Sequence, residues 1–149
     1  MRDKSGNFSS IKGNIYTRQW LPQEPPKALV LLVHGMAEHC GRYQHMGKYL
    51  TLQGYALCGL DLPGHGKSSK KFIDSSFTEW IEDSNEILNK VTSGPQILIG
   101  SSMGGWIAIK IGLLNPKKIK GILTIAAAPD FTKRLWRNQL SKPQKEEII

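Results

Sequence analysis

The stretch that decides the fold is residues 96–114, QILIGSSMGGWIAIKIGLL. Gln96 to Gly100 is a short aliphatic run of strand type, and Met103 to Leu114 is a helix ended before Asn115-Pro116. Between them Gly100-Ser101-Ser102-Met103-Gly104 has the spacing G-x-S-x-G. A sharp strand-to-helix turn exposes the Oγ of its central serine at the mouth of a sheet and leaves free N–H groups at the helix start. Such a turn crowds its neighbours, which is why Gly100 and Gly104 flank it and Gly105 adds room. Ser101 is the rival serine, but the pattern places it beside the apex. A serine hydroxyl is a weak nucleophile at its free pKa, so Ser102 needs a base and an orienting acid.

The same alternation continues outward. ALVLLV (28–33) and YALCGLD (55–61) are continuously apolar, as strands buried on both faces of a parallel sheet are, and GILTIAAAP (121–129) reads as a fourth buried strand. Helices are predicted over about 44–53, with Gly54 as a stop, and over 76–91, where Ser76 and Glu79 have capping-box spacing. Phe8 to Pro22 suggests a hairpin turning at Lys12-Gly13-Asn14. Residues 130–149 are charged and irregular or helical. Strands alternating with helices mean a doubly wound, mostly parallel α/β sheet. In such sheets the ligand site lies off the carboxyl ends of the strands. His34-Gly35, Asp61 to Ser69, Gly100 to Gly104 and Ala128 to Asp130 all follow strand ends, so four segments converge on one edge.

The chain has 149 residues, 40% of them hydrophobic, and a net charge of +8. The lysines are scattered, in pairs such as Lys70-Lys71 and Lys117-Lys118, with no aromatic interleaving; no nucleic-acid partner is expected. The two cysteines, Cys40 and Cys58, form no C-x-x-C pair, which favours a reducing compartment. With no secretory leader pattern at Met1 and no apolar run longer than Ala28–Val33, a cytoplasmic protein without a transmembrane segment is expected. His34, Glu38, His39, Cys40, His45 and His65 match no zinc spacing, so no metal is expected. No nucleotide loop or flavin motif is present, so no cofactor is expected either.

An acyl-transfer site must also bind an oxyanion. The backbone N–H of Met103, after the nucleophile, is one candidate donor, and the N–H of Met36, in the loop after the first central strand, is the other. His34 reads as a side chain that fixes this loop, and Gly41-Arg42-Tyr43 as a segment that orients it. His65 is read as a base or substrate contact, or as a loop-shaping residue.

HGMAEHCGRY (34–43) resembles the HGxxEHxGRY segment of monoacylglycerol lipases and lysophospholipases, and DLPGHGKSS (61–69) is similar to their D-x-x-G-H-G-x-S loop. From about Phe77 onward, EW-IED, GPQILIGSSMGGW and IAAAPDFT look more like the branch that holds mitochondrial acyl-protein thioesterases. The resemblance implies an α/β-hydrolase fold with an N-terminal hairpin, lacking the last strands and helix: one incomplete domain over 1–149, with 130–149 opening a cap. It implies a serine hydrolase that cleaves acyl esters or thioesters through Ser102. His34, Gly35, Arg42, Phe131 and Trp136 are the substrate-binding candidates.

In this fold the triad runs Ser, then Asp or Glu, then His along the chain. All four histidines, at 34, 39, 45 and 65, precede Ser102. Asp130 follows the fourth strand and is a candidate acid; a loop residue leading into the cap is the competing reading. The missing histidine leaves three accounts open: an interrupted hydrolase, an inactive acyl-binding remnant, or one half of a two-chain enzyme whose partner supplies the rest.

Overall fold

The computed structural model describes residues 1–10 and 12–146. Six strands form one sheet: β1 (Arg2–Ser10), β2 (Gly13–Leu21), β3 (Leu29–Val33), β4 (Ala56–Leu60), β5 (Gln96–Ser101) and β6 (Ile119–Ile125). Their spatial order is β1-β2-β4-β3-β5-β6. β1 and β2 form an antiparallel hairpin, and β2 joins β4 antiparallel. The other three pairings are parallel.

Helices α1 (Gln44–Leu52), α2 (Phe77–Lys90) and α3 (Met103–Leu114) cover the sheet. The two faces are seen in the side-chain parity of the central strands. Leu31 and Val33 point into a cluster with Leu60, Leu98, Ile87, Ile107 and Ile111, under α2 and α3. Val30, Leu32, Leu57 and Ile99 point the other way, into a cluster with Trp20 that Met46 and Leu50 of α1 cover. Each fully buried Leu or Ile contributes roughly 1.5–3 kcal/mol by leaving water. Gly47 lets α1 sit directly on the Trp20 ring, 2.5 Å from where a Cβ would stand.

The Ser76 cap is reciprocal: Glu79 N–H donates to Ser76 Oγ at 3.2 Å, and Ser76 N–H donates to Glu79 Oε2 at 3.1 Å. The capping box therefore forms as the spacing predicts.

Two expectations are corrected. The hairpin begins at Arg2, not Phe8, and its strands pair directly at Ser10 and Gly13. Residues 2–7 are polar and exposed, so backbone pairing to β2 extends the strand with no hydrophobic pattern to announce it. The strand read over 121–129 runs Ile119–Ile125 and is not buried: it is the sheet margin, with Ile122 43%, Leu123 54% and Ile125 43% exposed. An apolar run looks the same in sequence whether or not something covers it.

Beyond β6 the chain forms short helical segments, α4 (Phe131–Arg134), a π-turn (Leu135–Gln139) and α5 (Lys142–Glu146). The side chains of Phe131 and Trp136 lie outside the described residues. Among the described residues, no helix is long and apolar enough to cross a membrane.

Candidate active site

The register aligns the strand ends. Val33 pairs with both Leu60 and Gly100, and Ser101 pairs with Ile125. The segments that begin at His34, Asp61, Ser102 and Ala126 therefore leave the sheet side by side along one edge.

At the centre, β5 passes into α3 through Ser102, whose φ is 50° and ψ −117°. A serine held there is strained by about 1–3 kcal/mol and persists only where its surroundings enforce it. The enforcement is visible. Ser102 N–H donates to Ile125 O at 2.8 Å, and Gly105 N–H donates to Ser102 O at 3.0 Å. A Cβ at Gly100 would lie 2.6 Å from Gly105 Cα, and one at Gly105 would lie 2.6 Å from Ala127 Cβ. Gly104 is tighter still, with the Val33 carbonyl carbon 2.7 Å from where its Cβ would stand and the Val33 and His34 oxygens nearer. Only hydrogen atoms fit at these positions. Ser102 is exposed, and among the described residues its Oγ makes no hydrogen bond.

The loop after β3 lies against this turn. A Cβ at Gly35 would come within 3.3 Å of Ser102 Cβ and 3.2 Å of Ser101 O. His34 is fully buried beneath it. Its Nδ1 lies 2.7 Å from Gly35 O, and Leu62 N–H donates to its Nε2 at 3.0 Å. This network assigns the tautomer: Nδ1 carries the proton and Nε2 accepts. Burial lowers the pKa of His34 to about 4, with Gly35 O opposing and the nearby His65 reinforcing that shift. The ring is thus a neutral strut between the 34–36 loop and the segment that follows β4.

Met103 opens α3, where the first N–H groups have no intrahelical acceptor. The Met103 side chain points into the core, whereas that of Met36 is half exposed. Among the described residues, the Met36 N–H has no backbone partner. Arg42 is exposed, its Nε 3.9 Å from Glu38 Oε1.

Asp61 joins two loops at this edge. Its Oδ1 accepts from Cys40 N–H at 2.7 Å, and its Oδ2 accepts from Lys67 N–H at 2.8 Å. Burial, then Asp61, push the Cys40 thiol up, and burial pushes Cys58 up to about 12. Neither is a thiolate at neutral pH. The two cysteines are unpaired and buried.

Residues 24–145 match the Hydrolase_4 family, described as "Serine aminopeptidase, S33". The chain belongs to that family of α/β hydrolases. Over 116 residues the chain is 35% identical to the monoacylglycerol lipase of Mycolicibacterium smegmatis, covering 74% of this chain and 41% of that protein. Over 93 residues it is 33% identical to the rat mitochondrial palmitoyl-protein thioesterase ABHD10, covering 62% and 31%. The chain thus spans less than half the length of the curated relatives it matches. The structure of alpha/beta hydrolase domain-containing protein 10 from mouse superposes with a TM-score of 0.87 at 22% identity, covering 97% of this chain and 58% of that one, a likeness of fold.

The chain has an apolar cavity beside Met36, about 340 Å³, lined by Met36, Ala37, Gly64, His65 and Phe72. His65 is packed among the rings of His34, Phe72 and Trp80, with Nδ1 3.1 Å from Pro63 O. Asp130 follows β6 at φ 57° and accepts Arg134 N–H at 3.0 Å on its backbone oxygen. Among the described residues its carboxylate makes no hydrogen bond or ion pair, so the structure does not join Asp130 to Ser102 or to a histidine. Among the described residues, no group of three or more His, Cys, Asp or Glu could hold a metal ion.

Glu38 was missed as a site residue in the sequence reading. Its carboxylate reaches Gly35 and Tyr43, and the signal is the Gly35-x-x-Glu38 spacing of a single turn, which alone is common.

Proposed function

We propose that this hydrolase cleaves carboxylic esters or thioesters of acyl chains through an acyl-enzyme on Ser102. The observation that carries the reading is the strained Ser102, exposed on a strand-to-helix turn with Gly35 packed against it. The Ser102 Oγ attacks the carbonyl carbon as its proton passes to a base. The resulting oxyanion takes hydrogen bonds from the Met103 and Met36 N–H groups. Collapse expels the alcohol or thiol, which receives that proton, and water then releases the acid by the same steps. Donors of this kind are worth about 3–4 kcal/mol each in the transition state. The cavity beside Met36 is the candidate seat for an apolar part of the substrate. The relatives' names support the substrate class, one being a monoacylglycerol lipase and another a palmitoyl-protein thioesterase.

The base is not assigned to the four histidines of these 149 residues: none follows Ser102, and both ring nitrogens of His34 are engaged. It is supplied by chain outside these residues or by a second chain, and Asp130 is a candidate acid beside it. The single-domain reading of 1–149, with 130–149 opening a cap, belongs to the same proposal. The buried free thiols support a reducing compartment, the cytoplasm.

The locked His34 favours one other reading, an acyl-binding protein without turnover. Both are tested by hydrolysis of p-nitrophenyl butyrate and a butyryl thioester by the 149-residue chain and its Ser102→Ala variant. Turnover that disappears in the variant supports the hydrolase. Equal turnover in both removes Ser102 from the chemistry, and fatty-acid binding without turnover, with the base-supplying chain present, selects the second reading.

A further inference from the structure

The Gly35 carbonyl and the Met36 N–H belong to one planar trans peptide unit, so whatever fixes the first aims the second. Gly35 has no side chain to anchor it, and the loop leaves through Ala37 at φ 58°, a conformation that alanine does not hold unaided. Hydrogen bonds therefore carry the orientation. Gly35 O takes His34 Nδ1–H at 2.7 Å and Glu38 N–H at 3.3 Å. Gly35 N–H donates to Glu38 Oε2 at 3.1 Å. Glu38 thus grips the glycine at both polar atoms, its own N–H on the carbonyl and its carboxylate on the N–H.

The carboxylate is itself held. Tyr43 O–H donates to the same Oε2 at 2.7 Å, and Arg42 Nε stands 3.9 Å from Oε1. We propose that Glu38 is a positioning residue that aims the Met36 N–H at the oxygen of the carbonyl being cleaved. The role rests on reading Ser102 as the nucleophile. It assigns Tyr43 and Arg42 to holding Glu38 rather than to touching substrate. Burial works against the charged form of Glu38, but the Tyr43 and Gly35 hydrogen bonds and the Arg42 charge outweigh it. The carboxyl therefore lies below its usual range and is ionised at neutral pH.

Both donors converge on Oε2, so an amide oxygen in that place keeps them. Glu38→Gln preserves the side chain's half of the grip and Glu38→Ala removes it, leaving only the residue-38 N–H on Gly35 O. For Ser102-dependent ester hydrolysis, Glu38→Ala is expected to lower kcat about 10- to 100-fold with KM changed less than about twofold, since a misplacement near 1 Å is worth about 10²-fold. Glu38→Gln is expected to stay within about threefold of the parent, because a neutral acceptor replaces a charged one. A purely structural role would move KM and stability with kcat, and would not be rescued by glutamine.

A second measurement does not need turnover. In amide NMR of the full 149-residue chain, the Gly35 proton is expected downfield, following the Glu38 titration. In Glu38→Ala it moves upfield and its exchange quickens about tenfold or more, and the Met36 amide shift moves with it, while β3 and β5 amides stay put. A parent chain without Ser102-dependent turnover is what a base outside these residues gives, so the amides then decide alone whether Glu38 orders the Met36 peptide. Unchanged Gly35 and Met36 amides in Glu38→Ala overturn the proposal. So does an equal loss of kcat in the alanine and glutamine variants, which would make the charge, not the hydrogen bonds, responsible.

Discussion

Gly104→Ala offers the sharpest test of the packing at the elbow, the turn at Ser102 between β5 and α3. Its added Cβ would stand 2.7 Å from the Val33 carbonyl carbon, whereas ordinary contact begins at 3.4 Å, so the two backbones must part by at least 3.4 − 2.7 = 0.7 Å. Neither side yields easily, since one is the start of α3 and the other is the end of β3, a central strand. Overpacking of this kind destabilises by about 1–3 kcal/mol, and a backbone-on-backbone clash belongs at the upper end. Replacing a helical glycine by alanine returns about 1 kcal/mol of helix propensity. The net is about 2 kcal/mol, or roughly 4–8 °C in Tm for a chain of this length. Gly112→Ala is the control within the same helix. It carries the same propensity gain, but its Cβ would meet only the Cδ1 end of the Ile122 side chain, which can turn away. Gly121→Ala, with nothing within 4 Å, controls for the substitution itself. Thermal unfolding by circular dichroism of the three variants decides the matter. Gly104→Ala melting with the parent, or no lower than Gly112→Ala, would refute the claim that the elbow is closed by backbone contact.

Two further outcomes follow from the same geometry. His34 titrates near 4 when folded against an ordinary 6.5, so between these values the unfolded chain binds a proton that the folded chain refuses. Stability from this group is complete above about pH 6.5 and is lost as pH falls toward 4, by up to about 3 kcal/mol; a His34 ring midpoint near 6.5 in an NMR titration would contradict it. Ser76→Ala should remove the capping box and lower stability by about 1 kcal/mol, or roughly 2–4 °C in Tm; an unmoved Tm would show that α2 is held by its packing alone.

The parts legible in sequence are those whose signal is local. β3, β4 and β5 are apolar on every residue because both of their faces are covered, and such runs can be read without a structure. The elbow is legible because Gly100, Ser102 and Gly104 each answer a local steric demand. β1 was read short because its backbone, not its side chains, makes the strand. β6 was read as buried because covering is a property of neighbours. Glu38 and Asp61 escaped as braces because each acts through single oxygens on backbone N–H groups: two for Asp61, on segments several turns away, and one for Glu38, beside a tyrosine hydroxyl. No periodicity records such contacts.

The two margins of the sheet are unlike. Along β1 the side chains of Arg2, Asp3 and Lys4 are exposed, and Arg18 of β2 pairs with Asp3 at 2.7 Å. Covering that margin would strip water from charges and bury little hydrocarbon. Along β6, isoleucine and leucine stand beside backbone groups that, among the described residues, have no strand to meet. The two margins thus differ in what they show to water, charge along Arg2–Ser10 and hydrocarbon along Ile119–Ile125, so exposure is costlier at the β6 margin.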